Sequence, residues 1–132
     1  MEIDAKKLLE QAAAAAKNAY APYSGFAVGA ALLAESGKVF TGCNVENSSF
    51  SPSVCAERTA VVKAVSEGER HFKAIAVVGR QNPCFPCGVC RQVLAEFCDK
   101  DFCIYVYDGG EPKLFTLGEL LPHAFFIAKT GN

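Results

Sequence analysis

The sequence has no marked excess of charge of either sign. Thirteen lysines and arginines stand against 14 aspartates and glutamates in 132 residues, which leaves a formal net charge of −1. A protein that holds nucleic acid by its phosphates needs a basic surface, because phosphate neutralisation drives that binding. The charge balance therefore argues against a nucleic-acid partner and favours a small neutral ligand.

Long apolar runs and targeting signals are also missing. The longest apolar stretch near the start, Ala12–Ala16, is an alanine run typical of a helix. A membrane span needs about 20 apolar residues in a row. Residues 1–10 alternate charged and aliphatic side chains and lack the basic-then-apolar pattern of a signal peptide. We therefore expect no membrane contact and a cytoplasmic location.

Charged residues make up 20% of the chain, whereas apolar residues make up 51%. This composition excludes a disordered tail and supports a hydrophobic core. The length suits one folding unit, so we predict that residues 1–132 form a single domain.

Helical and extended patterns alternate along most of the chain. Asp4 is the predicted N-cap of the first helix, and Ser51 is the predicted N-cap of the second, with Pro52 at its first position. The alternation predicts an α/β domain in which helices pack on a sheet. Helices are expected over residues 5–18, 52–66, 88–97 and 117–121, and strands over 26–33, 38–43, 74–79, 101–107 and 113–116.

Seven cysteines are many for a chain of this length. An odd number cannot all pair within one chain, and without an export signal metal ligands and reduced thiols are favoured over disulfides. Cys55 lies near one predicted helix start, and Cys87 and Cys90 lie at another, where the helix dipole favours thiolates. Three thiolates leave one position of a tetrahedral zinc ion open, which is typical of catalytic sites. The remaining four are predicted to be buried thiols: Cys43, Cys84, Cys98 and Cys103.

Two overlapping segments match the Pro-Cys-x-x-Cys pattern. One begins at Pro83 and uses Cys84 and Cys87, and the other begins at Pro86 and uses Cys87 and Cys90. We favour the second, because its glycine permits close backbone packing and its sulfurs begin a credible helix. Cys84 would fall back in the loop.

Glu57 follows Cys55 by two residues, so it lies close to the predicted metal without needing to bind it. A carboxylate in that place can take a proton from a zinc-activated water and pass it to a leaving group. Three thiolates on a dication leave a net charge of −1, which calls for nearby positive charge. Arg58 and Arg91 are both candidates to donate hydrogen bonds to the sulfurs.

Four ordered motifs resemble those of the cytidine deaminase family, in its small, three-cysteine, homotetrameric branch. The resemblance extends from about Tyr20 to Leu121. It implies a three-layer α/β/α single domain with a mixed five-stranded sheet and helices on both faces. The matching segments are FAVGAA at 26–31, CNVEN at 43–47, CAERTA at 55–60 and PCGVCRQ at 86–92.

The same resemblance implies a zinc hydrolase that acts on a cyclic amidine. Cytidine and deoxycytidine would become uridine and deoxyuridine with release of ammonia, a reaction of pyrimidine salvage. One Zn²⁺ per chain would be held by Cys55, Cys87 and Cys90. Glu57 would carry protons between the zinc hydroxide, ring atom N3 and the leaving amine.

Further roles follow from the resemblance alone. Arg58 would offset thiolate charge, and Gln92 would donate a hydrogen bond behind the metal ligands. The chain would form a homotetramer with active sites at subunit interfaces. The residues implied to contact the nucleoside are Phe26 on the pyrimidine, Asn44 and Glu46 on the ribose hydroxyls, Ala56, and Phe125 from a neighbouring subunit.

Two positions depart from the family pattern. Phe50 stands where tyrosine is frequent, and the lost hydroxyl bears on sugar recognition or a subunit contact. Phe85 stands before Pro86, where a small or hydroxylic residue is usual. The family uses mainly the backbone carbonyl there to receive the amine, so the bulky side chain is compatible with activity.

Three other functions share part of this pattern. A blasticidin S-type deaminase has the same zinc and glutamate motifs, but the Asn44–Asn47 string favours a plain ribose. A nucleic-acid deaminase usually has histidine in place of Cys55. A structural zinc module would need a fourth ligand and would not need Glu57, and His71 and His123 are expected to be solvated rather than metal-bound.

Overall fold

The computed structural model describes residues 2–129, and a five-stranded sheet forms its centre. Four helices accompany the sheet in this part of the chain. The helices are α1 (Ala5–Ala16), α2 (Ala56–Ser66), α3 (Gly88–Phe97) and α4 (Leu117–Leu120). The strands are β1 (Val28–Ala34), β2 (Val39–Cys43), β3 (Phe72–Gly79), β4 (Cys103–Asp108) and β5 (Glu111–Thr116).

The strand order in the sheet is β2-β1-β3-β4-β5. Strands β3 and β4 run parallel, and the other neighbouring pairs are antiparallel, so the sheet is mixed. Successive residues of β1 face opposite sides: Leu32 packs in the cluster with α2 and α3, whereas Leu33 packs in the cluster with α1. The expected three-layer α/β/α architecture is therefore confirmed.

Two glycines allow the helices to lie directly on the hairpin of β1 and β2. A Cβ atom at Gly29 would lie 1.9 Å from the carbonyl oxygen of Ala12 in α1. A Cβ atom at Gly42 would lie 2.5 Å from the carbonyl oxygen of Ala56, the first residue of α2. Because no side chain separates them, β2 holds the N-terminus of α2 in a closely defined position.

The start of α2 differs from the prediction. Asp4 does cap α1, accepting a hydrogen bond from the Lys7 amide at 3.1 Å. The second helix, however, begins at Ala56 and not at Pro52. Val54 pairs with Val45 through two backbone hydrogen bonds of 3.0 and 2.9 Å, which keeps the chain extended until it reaches Cys55.

Other boundaries shift by a few residues. Helix α1 ends at Ala16, β1 begins at Val28 and β3 begins at Phe72, where it still pairs with Ala34 of β1. The third helix covers 88–97 as predicted. None of the helices within residues 2–129 is long and apolar enough to cross a membrane.

Candidate metal centre

Two helix N-termini meet at a group of cysteine sulfurs. Cys55 is the N-cap of α2 and Cys87 is the N-cap of α3, and neither side chain caps its own helix among the described residues. The Sγ atom of Cys87 lies 3.8 Å from that of Cys55 and 3.4 Å from that of Cys90. All three sulfurs lie within 4.8 Å of one another. The helix starts thus direct three thiols to one point, as the spacing predicts.

This geometry fits a zinc ion. Zinc–sulfur bonds of about 2.3 Å in a tetrahedron separate the sulfurs by about 3.8 Å. Cys90 is buried, Cys55 is half-buried and Cys87 is exposed, so the cluster opens towards solvent on one side. In the described part of the chain no fourth cysteine, histidine or carboxylate joins the group. The donor set therefore matches an open, catalytic type of zinc site and does not match a closed structural one.

Cys84 lies outside this group, which decides between the two overlapping motifs in favour of the one that begins at Pro86. Its thiol is half-buried beside the cluster. Burial, together with the negative charges of Glu57 and Cys55, raises the pKa of Cys84 to about 11. It is a neutral thiol next to the metal centre, in agreement with the sequence prediction.

The cluster is arranged to hold negative charge. Hydrogen bonding from the Cys90 thiol, and then from the Arg58 guanidinium, holds the pKa of Cys55 below its ordinary value. Arg58 Nη2 lies 3.4 Å from the Cys55 sulfur. The positive ends of two helix dipoles add to this stabilisation. Arg58 is thus placed as the sequence predicts.

Glu57 lies in the first turn of α2, with only 4% of its surface exposed. Burial raises its pKa to about 7, and the neighbouring charge of Cys55 adds to the shift. A carboxyl group with that pKa exchanges a proton readily near neutral pH. The site therefore combines a metal-binding thiol cluster with a proton carrier two residues away.

A cavity of about 330 Å³ adjoins the cluster. Its walls come from the segment before β1, the end of β2, the start of α2 and the loop after β3. The residues that line it are Phe26, Val28, Asn44, Cys55, Ala56, Glu57, Gln81, Pro83, Cys84, Phe85 and Cys87. A small ligand that enters it meets Glu57 and two cysteines of the cluster, Cys55 and Cys87.

The chain is similar to known proteins. The family described as "Cytidine and deoxycytidylate deaminase zinc-binding region" matches residues 2–106. A cytidine deaminase of Sporosarcina psychrophila is 51% identical over 125 residues, which are 93% of this chain and 92% of the relative. A probable cytidine deaminase of Dictyostelium discoideum is 50% identical over 122 residues, 91% and 82% of the two chains.

Solved structures agree with the sequence matches. The crystal structure of cytidine deaminase from Burkholderia pseudomallei superposes with a TM-score of 0.88 at 47% identity, covering 93% of this chain and 100% of the other. The enzyme from Mycobacterium tuberculosis gives 0.83 at 42% identity, with 96% and 100% covered. This chain belongs to the cytidine and deoxycytidylate deaminase family. Its metal is accordingly zinc, and the cluster of Cys55, Cys87 and Cys90 is the group that fits it.

Six of the eleven predicted site residues line one cavity, and five do not. Cys90 completes the sulfur cluster behind the cavity wall. Glu46, Arg58, Gln92 and Phe125 are absent from the lining. The predicted residues that do line it are Phe26, Asn44, Cys55, Ala56, Glu57 and Cys87.

Asn44 and Glu46 make hydrogen bonds within the chain. Asn44 Nδ2 donates to the carbonyl of Phe26 at 2.8 Å, and Asn44 Oδ1 accepts from the amide of Val28 at 2.9 Å. Glu46 accepts hydrogen bonds from the amides of Tyr23 (3.0 Å) and Ser24 (3.1 Å) and from the Ser24 hydroxyl. The bonds from Ser24 hold the pKa of Glu46 below its ordinary value. Both side chains hold the segment that leads into β1.

Gln92 interacts with the C-terminal segment. Its Nε2 donates to the carbonyl of Phe125 at 2.7 Å, and its Oε1 accepts from the Phe125 amide at 3.3 Å. In the hydrogen bonds described for residues 2–129, Gln92 bonds to this backbone and not to a cysteine sulfur. Arg91 likewise donates to the carbonyls of Pro86 and Leu120, at 2.8 and 2.9 Å. Of the two arginines predicted to donate to the sulfurs, Arg58 is the one whose described hydrogen bonds include a cysteine of the cluster, Cys55.

Two residues that support the cavity, Ser24 and Arg80, were not predicted from the sequence. The Ser24 hydroxyl donates a hydrogen bond to the Glu46 carboxylate and accepts one from the Phe26 amide at 3.0 Å. The Arg80 guanidinium lies 5.6 Å from the centre of the Phe26 ring. No pattern in the sequence signals the contacts of Ser24 with Glu46 and of Arg80 with Phe26. The partners are far apart along the chain and meet only when β1 pairs with β2 and with β3.

The two departures from the family pattern have distinct surroundings. Phe50 has a positive φ of 64° and is 76% exposed. Phe85 lines the cavity and packs edge-on against Phe115, with ring centres 5.0 Å apart. The bulk of Phe85 is therefore accommodated by β5 as well as by the cavity.

Proposed function

We propose that this chain is a cytidine deaminase that hydrolyses cytidine and deoxycytidine to uridine and deoxyuridine, releasing ammonia. Residues 1–132 form its single catalytic domain. The observation that carries the proposal is that Glu57, with a pKa raised to about 7, faces the same cavity as Cys55 and Cys87. Relatives about half identical over more than nine-tenths of the chain bear the name cytidine deaminase.

Cys55, Cys87 and Cys90 would hold a zinc ion, which would supply Lewis acidity towards the hydrolytic water. Glu57 takes one proton from that water and delivers it to ring atom N3 while the water oxygen bonds to C4. Glu57 then takes the second proton from the same oxygen and delivers it to the exocyclic amine. The bond from C4 to the amine breaks, a carbonyl forms at C4, and ammonia leaves. A carboxyl group that is half ionised near neutral pH suits both the uptake and the delivery of protons.

Phe26 provides an aromatic wall against which the pyrimidine packs. Asn44 uses one of its two amide N–H groups within the chain, and the second remains for a sugar hydroxyl. Glu46 accepts three hydrogen bonds out of about four that a carboxylate can accept. Ala56, at the start of α2, lines the cavity and offers its backbone to the ligand. These residues retain the capacity to bind a nucleoside.

Arg58 supports the metal centre from outside the cavity, and Gln92 holds the C-terminal segment. Arg58 donates to the Cys55 sulfur and offsets the negative charge of the thiolates. Gln92 holds the backbone of Phe125 against α3. Both roles are part of the proposal.

We also propose a cytoplasmic homotetramer with active sites at subunit interfaces. Three consecutive apolar residues near the C-terminus, Phe125, Phe126 and Ile127, are 69%, 63% and 75% exposed. Contiguous exposed apolar surface of this kind marks interaction sites, and a symmetric assembly would bury it. Phe125 would then reach a neighbouring copy. No nucleic acid or membrane takes part in this function.

The test of the function follows the ultraviolet absorbance of cytidine mixed with purified protein, with blasticidin S in parallel. Wild-type protein is expected to convert cytidine to uridine. Glu57→Gln should keep one zinc per chain and the same melting temperature while losing about 10²–10⁴-fold in kcat, because the proton carrier is gone. Glu35→Gln, at an exposed position of the turn after β1, is the matched control.

Each outcome has a definite meaning. Retention of full activity by Glu57→Gln would show that the mechanism is wrong. Turnover of blasticidin S without turnover of cytidine would change the substrate and keep the chemistry. Absence of turnover with both substrates in a folded, zinc-loaded protein would contradict the proposed function.

A further inference from the structure

The Phe26 ring is held at the outer wall of the cavity by the end of β3. A Cβ atom built on Gly79 would lie 3.1 Å from Phe26 Cε1, so the ring packs directly on the glycine backbone. The guanidinium carbon of Arg80 lies 5.6 Å from the ring centre, within the range of a cation–π contact. Two adjacent residues therefore contact the ring of Phe26.

The backbone of Phe26 is fixed separately. Its carbonyl accepts from Asn44 Nδ2 at 2.8 Å, and its amide donates to Ser24 Oγ at 3.0 Å. These bonds set the position of the main chain and leave the side-chain torsions free. The direction of the ring is therefore decided by the groups that pack against it.

Gly79 also leaves room for the loop that forms the opposite wall. Its missing Cβ would lie 2.7 Å from the Cys84 sulfur, a distance that real Cβ atoms essentially never show. Cys84 lines the cavity together with Phe26. Any side chain at position 79 must push the sulfur, the ring or the strand end, and each of these movements changes the width of the cavity.

We propose that Gly79 and Arg80 are positioning residues for Phe26 that set the fit of the cavity to a pyrimidine ring. Gly79 acts through the space it leaves, and Arg80 acts through its guanidinium over the ring. This inference rests on the proposed function, because it assumes that the pyrimidine packs on Phe26. The contacts described for these two residues are with Phe26, Val28 and Cys84, so they act on substrate affinity and leave the proton transfers alone.

The first experiment is a double-mutant cycle with Gly79→Ala, Cys84→Ala and the double variant. Gly79→Ala should raise KM about tenfold with a much smaller change in kcat, since binding and not chemistry is disturbed. In the Cys84→Ala background the same substitution should raise KM by a smaller factor, about threefold, because the sulfur at 2.7 Å is gone and the tight contact with Phe26 at 3.1 Å remains. Zinc content and melting temperature are measured for each variant.

An equal effect of Gly79→Ala in both backgrounds would contradict the role of the gap, as would an unchanged KM. Cys84→Ser is compared with Cys84→Ala, because the serine hydroxyl keeps an atom near the position of the sulfur. It should rescue Gly79→Ala less than Cys84→Ala does.

The second experiment does not depend on the folding of Gly79→Ala. Arg80→Ala and Arg80→Gln should raise KM about threefold, and Arg80→Lys should recover part of the loss, as expected for an exposed cation–π contact. In a Phe26→Leu background, Arg80→Ala should have no further effect on KM. Arg70→Gln is the control for lost charge and should leave KM unchanged, because Arg70 lies in the segment between α2 and β3 and donates to the Val65 carbonyl of α2.

Two measurements separate failure of this inference from failure of the proposed function. Proton NMR of the free protein should show Arg80 side-chain resonances shifted upfield by the Phe26 ring, and Phe26→Leu should abolish the shift. Calorimetric binding of cytidine to proteins that carry Glu57→Gln gives affinity without turnover. Absence of cytidine binding to every protein would defeat both proposals. Cytidine binding and turnover with no effect of Arg80→Ala on affinity would defeat this inference alone.

Discussion

The inner and outer parts of the site are built in different ways. The metal centre lies at the N-termini of α2 and α3, and its residues are close in sequence within each of two short motifs. The outer wall is assembled from Phe26, Asn44, Gly79 and Arg80, which belong to three separate segments. The inner part depends on helix starts held by the core, whereas the outer part depends on single hydrogen bonds and van der Waals contacts. Damage to the first should abolish function, and damage to the second should change it by degrees.

The largest expected effect tests the inner part. Cys90→Ser should abolish both zinc binding and deamination, because a buried hydroxyl is a poor replacement for a thiolate ligand. Metal analysis and the cytidine assay measure the two effects. Cys98→Ser, at the other end of α3, is the matched control and should retain zinc and activity. If Cys90→Ser still bound one zinc per chain, the metal centre would tolerate the loss of a ligand, and the distinction from the outer wall would be wrong.

A second prediction concerns the energetic cost of burying Glu57. Because burial raises its pKa from 4.5 to about 7, the folded protein binds more protons than the unfolded chain between those two values. The stability that Glu57 provides is present in full below about pH 4.5 and is lost as the pH rises through about 7. The loss amounts to about 3 kcal/mol at most.

This sign can be checked by denaturant unfolding of zinc-free protein at several pH values. The free energy of unfolding of the wild type should fall relative to that of Glu57→Gln as the pH rises. Glu35→Gln should run parallel to the wild type. A constant difference between wild type and Glu57→Gln would show that Glu57 is not held in an environment that opposes its charge.

A smaller effect sharpens the description of the outer wall. Ser24→Ala removes the link between Glu46 and the amide of Phe26. Loss of these two exposed hydrogen bonds, worth about 1 kcal/mol together, predicts a rise in KM of about fivefold at unchanged kcat and zinc content. Ser36→Ala, in the turn between β1 and β2, is the control. An all-or-none loss of activity in Ser24→Ala would break the distinction between the two parts of the site.

The metal centre could be predicted from the sequence more completely than the outer wall. The ligands Cys87 and Cys90 could be predicted because a Cys-x-x-Cys at a helix start brings two thiols together, and Cys55 because a second helix start carries the Cys-x-Glu pattern of zinc deaminases. The start of α2 could not, because Pro52 and Ser51 carry a good local capping signal. The bridge between Val45 and Val54, which joins separate segments, overrides it.

The hydrogen-bond partners of the polar site residues could not be predicted from the sequence. Asn44 and Glu46 are part of a motif in the sequence, but only the folded chain places their side chains on the backbone before β1. Gln92 lies in a motif as well, and its amide bonds to Phe125, 33 residues away. A side-chain amide has several possible partners, and the sequence does not select among them.

The sequence by itself determined the α/β class, the three sulfur ligands and the neighbouring glutamate, because periodicity and spacing within a helix act over a few residues. The tertiary structure decided where Cys55 caps α2, how β3 supports the ring of Phe26, and how deeply Glu57 is buried. Those features depend on strand pairing and on the close approach of a helix to a glycine. Both arise between segments that are distant in the chain, and packing settles them only when the whole sheet has formed.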